Sequence, residues 1–230
     1  MRRTAQQLAA EFVGTFLVVF FAAGAPSIDP WLKAAGQPLL GTIGAALAYG
    51  LAVAAAIEIF GPVSGGHLNP AISLGAWATR RIGSWRLLGY TLVQLLGAIV
   101  AAHMLEAVLP ESSWQAAGLG TPALASSITR GQGMLIEAVL TFAVALVFFR
   151  TAAVAGKPSG WATGAMLAAA VLVARPVTGA ALNPARAFGP ALVMSHWANH
   201  GVWWVGPLAG GVAGAWFSAV LGSRPSSTAG

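Results

Sequence analysis

The sequence predicts an all-α membrane protein in which six transmembrane helices and two half-helices form an inverted repeat. Three observations carry this reading. The 230 residues are 57% hydrophobic and only 8% charged, with a mean hydropathy of +0.75, too apolar for one soluble core to hide. Windows of about 20 apolar residues, the length that crosses about 30 Å of hydrocarbon, occur six times. Finally, Val63-Ser64-Gly65-Gly66-His67-Leu68-Asn69-Pro70-Ala71 returns as Val177-Thr178-Gly179-Ala180-Ala181-Leu182-Asn183-Pro184-Ala185.

The windows fall at about 8–25, 39–60, 86–107, 132–151, 161–176 with its flank, and 202–222. Polar or Gly/Pro-rich connections separate them: Ser27 to Pro38, Thr79 to Trp85, Pro110 to Arg130, Thr151 to Gly160, and Ser195 to Gly201. The tail from Ser223 to Gly230 is expected to lack regular structure. Met1-Arg2-Arg3 and the apolar run ending Ala22-Ala23-Gly24-Ala25 imitate a secretory signal. Glu11 inside that run and Pro26 just after it argue for a retained first span.

Each Asn-Pro-Ala triplet starts a helix, with Asn as N-cap and Pro at the first helical position, where its missing donor does no harm. Gly or Pro interrupts the apolar run after each triplet (Gly75; Gly189-Pro190) within two or three turns, so each triplet opens a half-helix. A second repeat pairs Glu11-Phe12-Val13-Gly14-Thr15-Phe16 with Glu137-Ala138-Val139-Leu140-Thr141-Phe142. The step from Glu to Asn is 58 residues in the first half and 46 in the second, an insertion placed most simply in the longer first connection. We read residues 1–230 as a single channel domain with repeats at about 5–108 and 131–222. Three spans per half turn the second copy over relative to the first.

Lysine and arginine set the orientation. Arg2, Arg3, Arg80, Arg81, Arg86, Arg150, Lys157 and Arg224 share one side, eight in all, against four on the other: Lys33, Arg130, Arg175 and Arg186. The positive-inside rule then puts both termini in the cytoplasm.

Irregular backbone at membrane depth persists only where protein buries it or water wets it, so two such loops meeting from opposite faces imply a pore. Asn69 and Asn183 cap with the side-chain carbonyl, which leaves their amide NH₂ groups to donate into the lumen. Both half-helices aim positive dipole ends at this point, a barrier to cations and protons. Glu11 and Glu137 suit two carboxylates bracing the loop backbones; the competing role is a proton relay in a coupled transporter. His67 has no second metal ligand at useful spacing and suits bracing or lining of the pore. Trp31, Trp85, Trp114, Trp161 and Trp197 lie near span ends, as an interfacial belt does. No metal or other cofactor is expected. The net charge of +6 is spread thinly and forms no nucleic-acid-binding stripe. Without cysteine there is no disulfide or thiol nucleophile, and no other nucleophile has a base at suitable spacing, so no enzyme reading survives.

The doubled Asn-Pro-Ala with Arg186 and the doubled Glu-x-x-x-Thr resembles the aquaporins, the major intrinsic protein family, over about residues 5 to 222. The resemblance implies a multi-pass cell-membrane channel for water and small neutral solutes, assembled as a homotetramer with one pore per subunit. It also implies an outer selectivity filter at Tyr49, Val171, Ala180 and Arg186. Exclusion by an arginine and half-helix dipoles is the recognised device of aquaporin-type pores. Strict water channels usually carry Phe and His at the first two filter positions. Tyr and Val stand here, a relaxed filter similar to that of plant nodulin-like intrinsic proteins. Ala187 and the Trp203-Trp204 pair resemble water channels, whereas glycerol facilitators usually carry Asp after the arginine. Water is therefore the expected main permeant, the alternative being an aquaglyceroporin or a metalloid or ammonia channel.

Overall fold

The computed structural model describes residues 2–222; the tail segment Ser223 to Gly230, and with it Arg224, lies outside the described residues. Nine α-helices are seen among them: α1 (Arg2–Ala34), α2 (Gly41–Ser64), α3 (Pro70–Ala78), α4 (Ser84–Val108), α5 (Glu111–Ala116), α6 (Arg130–Ala155), α7 (Gly160–Thr178), α8 (Pro184–Val193) and α9 (Val202–Val220). The order long, long, short, long appears in α1–α4 and again in α6–α9. Helix α5 and a 3-10 turn at Gly118–Gly120 occupy the link between the halves.

Among the described residues, five helices are long and apolar enough to cross a membrane: α1, α2, α4, α6 and α7. Helix α9 is the sixth span. Its 19 residues include Trp203, Trp204, Trp216, four glycines and Pro207, which dilute its hydropathy, yet it occupies the place of α4 in the second half.

Two boundaries differ from the sequence expectation. The first span runs on through Ser27 to Ala34 despite Pro26 and Pro30. A proline removes one donor and crowds the preceding turn, but a long helix packed on neighbours tolerates this where another group takes the freed carbonyl. The insertion is spread as well. Counted from the repeated glutamate, α1 and α2 are each five residues longer than α6 and α7, and the connection gains only two.

The halves interlock through the half-helices. Helix α3 packs on α9 of the other half and α8 packs on α4, while α2 packs against α7 across the centre. Gly75 and Gly189, the sixth residues after the two Asn, lie inside α3 and α8 rather than ending them. A Cβ on Gly75 would come within 2.6 Å of the Gly211 carbonyl, and one on Gly189 within 2.3 Å of the Ala98 carbonyl. These glycines therefore serve close helix approach, the use small residues have where lipid supplies no hydrophobic drive between helices.

Candidate functional site

The two loops before α3 and α8 follow the same backbone path. Gly65 and Gly179 have φ of 96° and 79°, Gly66 and Ala180 have 64° and 50°, and Leu68 and Leu182 both have 53°. Leucine in the left-handed region costs roughly 1–2 kcal/mol, so the surroundings must hold it there. What holds it is a buried carboxylate on each side. Glu11 accepts from the Ser64 hydroxyl (2.6 Å), the backbone N–H of His67 (3.0 Å) and Leu68 (2.7 Å), and the Gln94 amide (2.8 Å). Glu137 accepts from the Thr178 hydroxyl (2.6 Å) and the backbone N–H of Ala181 (3.1 Å) and Leu182 (2.7 Å). The Tyr90 hydroxyl and the Trp203 indole complete the correspondence by donating to the Ser64 and Thr178 carbonyls.

With the loops fixed, Asn69 and Asn183 cap the half-helices. The Asn69 side-chain oxygen accepts from the Ala71 N–H at 2.8 Å, and that of Asn183 accepts from the Ala185 N–H at 2.9 Å, with Pro70 and Pro184 next in the chain. Their amides are not wholly free for the lumen, which corrects the sequence expectation. Asn69 donates to the Leu182 carbonyl and Asn183 to the Leu68 carbonyl, both at 2.9 Å. The strained leucines thus present the very carbonyls that tie the two halves together, and one N–H of each amide remains unbound by these contacts.

A cavity of about 30 Å³ lies against this junction, lined by Asn69, Asn183, His67 and Tyr49 among apolar walls that include Ile57, Val144 and Phe148. By this measure it has room for roughly two waters. His67 Nδ1 lies 3.1 Å from the Ser73 hydroxyl, and its ring stands edge-on to Tyr90 and Phe148. A second cavity, of about 290 Å³, opens on the other side of the junction and is lined by Arg186, Arg175, Gly120 and Gly179.

Tyr49, Val171 and Ala180 pack in one cluster, and all three are buried. The Tyr49 hydroxyl is committed to the Ala181 carbonyl, to which it donates at 2.9 Å. Arg186, in the first turn of α8, donates through Nη1 to the Gly120 carbonyl at 2.8 Å and through Nη2 to the Ala22 carbonyl at 3.3 Å, while its Nε finds no partner. Ala22 is four residues before Pro26. Because Pro26 has no N–H, the Ala22 carbonyl is left open within α1 and receives the guanidinium instead. Sequence reasoning gave no site role to Pro26, Gly120, Gln94, Tyr90 or Ser64. For Ser64 a signal was available, since Ser64 and Thr178 occupy equivalent hydroxyl positions in the repeat.

Comparison with known proteins gives the family. Residues 2–218 match the model of the major intrinsic protein family. Aquaporin-4 of Mus musculus is 36% identical over 220 residues, covering 93% of this chain and 67% of that protein. Aquaporin TIP4-4 of Zea mays is 39% identical over 207 residues (88% of this chain, 81% of that protein), and aquaporin-5 of Homo sapiens is 40% identical over 212 (90% and 77%). In fold, the chain superposes on the aquaglyceroporin of Plasmodium falciparum with a TM-score of 0.75 over 94% of each chain, at 22% identity. With nearly its whole length matched, the chain belongs to the major intrinsic protein family, the aquaporin family of membrane channels.

Proposed function

We propose that this chain is a passive channel whose main permeant is water, with secondary passage of small neutral solutes and exclusion of ions and protons. The observation that carries the reading is the crossed Asn69 and Asn183 junction, capping two opposed half-helices beside a cavity with room for roughly two waters. Water passing there meets amide N–H donors and two positive helix ends. Beyond it Arg186 adds a fixed cation, and Tyr49, Val171 and Ala180 supply the remaining filter walls. We place the channel in the cell membrane with both termini cytoplasmic, as a homotetramer like others of its family.

Solute passage rests on Val171 and Ala180, which leave two filter walls small and apolar. Proton-coupled transport is the weaker reading, because the carboxylates it needs are engaged. Glu11 and Glu137 accept bonds from the loops and line neither of the two pore cavities. Stopped-flow light scattering on proteoliposomes tests the proposal. Water flux should not saturate and should ignore an imposed pH gradient, with slower but measurable glycerol or urea entry. Saturable, gradient-driven flux would mark a transporter, and glycerol outrunning water would mark a glycerol facilitator.

A further inference from the structure

At the end of α3 farthest from the Asn junction, the chain turns into α4 through a cleft of about 750 Å³ lined by Arg80, Arg81, Arg86, Trp77, Ser84 and Trp85. All three arginines are exposed, and among the described residues none forms an ion pair. Arg81 stacks its guanidinium 4.9 Å from the Phe149 ring centre, which fixes the base of the cleft. Trp77 donates from its indole to the Ser84 hydroxyl at 3.1 Å, and Trp85 is 87% exposed. Amphipathic aromatics beside unpaired cations are what a bilayer interface attracts.

Ser84 belongs to a second cavity too. From it a groove of about 300 Å³ runs between α3, α4 and α9, lined by Leu74, Leu87, Leu88, Thr91, Trp204 and Leu208. From Ser84 to Thr91 the groove follows α4 for about 10 Å toward the bilayer centre, and it continues onto α9. Its walls are almost wholly apolar. A cationic cleft at the interface that continues, through one shared residue, into an apolar groove has the shape and charge order of a phospholipid.

We infer that this face binds an anionic phospholipid specifically, with the headgroup phosphate among Arg80, Arg81 and Arg86 and one acyl chain in the groove of α3, α4 and α9. Charge complementarity selects the headgroup. Among the described residues the three cations have no carboxylate partner to neutralise them, so an anionic headgroup gains from all three. The groove separates a lipid from a free anion, because inorganic phosphate has nothing to place there. The site lies outside the pore, so it is independent of which solute the channel passes.

The test is native mass spectrometry of the full-length protein in detergent, titrated with dioleoyl phosphatidylglycerol, dioleoyl phosphatidylcholine or sn-glycerol 3-phosphate. Phosphatidylglycerol should bind first and about tenfold or more tighter than phosphatidylcholine, and glycerol 3-phosphate should not displace it. Because Arg81 packs on Phe149, the charge variant leaves it in place. Arg80→Gln with Arg86→Gln should erase the preference between the two lipids, and Arg80→Lys with Arg86→Lys should retain most of it. Leu88→Trp, which fills the groove without changing charge, should weaken phosphatidylglycerol by itself. Equal affinity for both lipids in the native chain would overturn the inference. So would a preference that survives loss of both arginines, unchanged binding to Leu88→Trp, or displacement by glycerol 3-phosphate, which would identify a free-anion site.

Discussion

At the scale of single residues, the proposed filter is tested most directly at Arg186 and Val171. Arg186 commits two guanidinium nitrogens to backbone carbonyls, Gly120 and Ala22, and keeps Nε unpartnered in the cavity that it lines with Arg175. Substituting Arg186→Val removes the cation while both half-helix dipoles remain, so water flow should persist and a proton or small-cation leak should appear in voltage-clamped oocytes. A variant with neither leak nor altered solute passage would show that Arg186 does not face the permeant. Val171→His restores bulk and a donor on one wall, and should cut glycerol entry more than water entry in the same vesicles. Proportionate loss of both would count against a filter at this position. Tyr49 is expected to contribute its ring more than its hydroxyl, which already donates to the Ala181 carbonyl.

At the scale of elements, the repeat makes much of the site legible in the sequence. Asn-Pro-Ala gave the caps and starts of α3 and α8, and the repeated glutamates pointed to the two side chains that accept from the loop amides. Other features were hidden for a physical reason. The crossed Asn amides, the carbonyl opened by Pro26, and the approach of Gly75 and Gly189 to opposing helices are contacts between distant segments. Local pattern does not encode them. The extension of α1 through two prolines belongs here too, since propensity alone reads Pro26 as a stop.

The turn before α9 supplies an element-scale prediction. His200 Nε2 accepts from the Trp204 indole at 3.1 Å, so the neutral ring carries its proton on Nδ1, which is buried without a partner. Trp197 packs edge-on at 4.9 Å. Burial holds the His200 pKa below its ordinary 6.5, and protonation would set Nε2–H against the Trp204 donor. Between the depressed folded value and the unfolded one, the unfolded chain binds more protons, so stability falls as pH falls through that window. The Tm of the purified channel should drop from about pH 7 to about pH 5, and His200→Phe should lose part of that drop. An identical drop in the variant would place the titrating group elsewhere.

For the whole molecule, the open question with a direct physical handle is which way it faces. The eight-to-four division of Lys and Arg becomes sharper for the eleven that the structure describes, all but Arg224. Arg186 and Arg175 line one cavity, so among the described residues the four-cation side has Lys33 and Arg130 left as cations away from the pore. On the majority side, Arg80, Arg81 and Arg86 stand exposed around the cleft between α3 and α4. Helix α4 connects the two sides, and its 25 residues span about 37 Å. Labels at its two ends therefore report opposite faces. The chain has no cysteine, so a single introduced thiol gives an unambiguous signal. Ser113 is unsuitable, because it is buried and its hydroxyl donates to the Ser27 carbonyl at 2.7 Å and accepts from the Trp31 N–H. Ser112 beside it is exposed, as is Gly83 at the other end. In intact cells an impermeant maleimide should label Ser112→Cys, and it should reach Gly83→Cys only after permeabilisation. The reverse pattern would put the arginine-rich face outside, and the bound lipid would then belong to the outer leaflet.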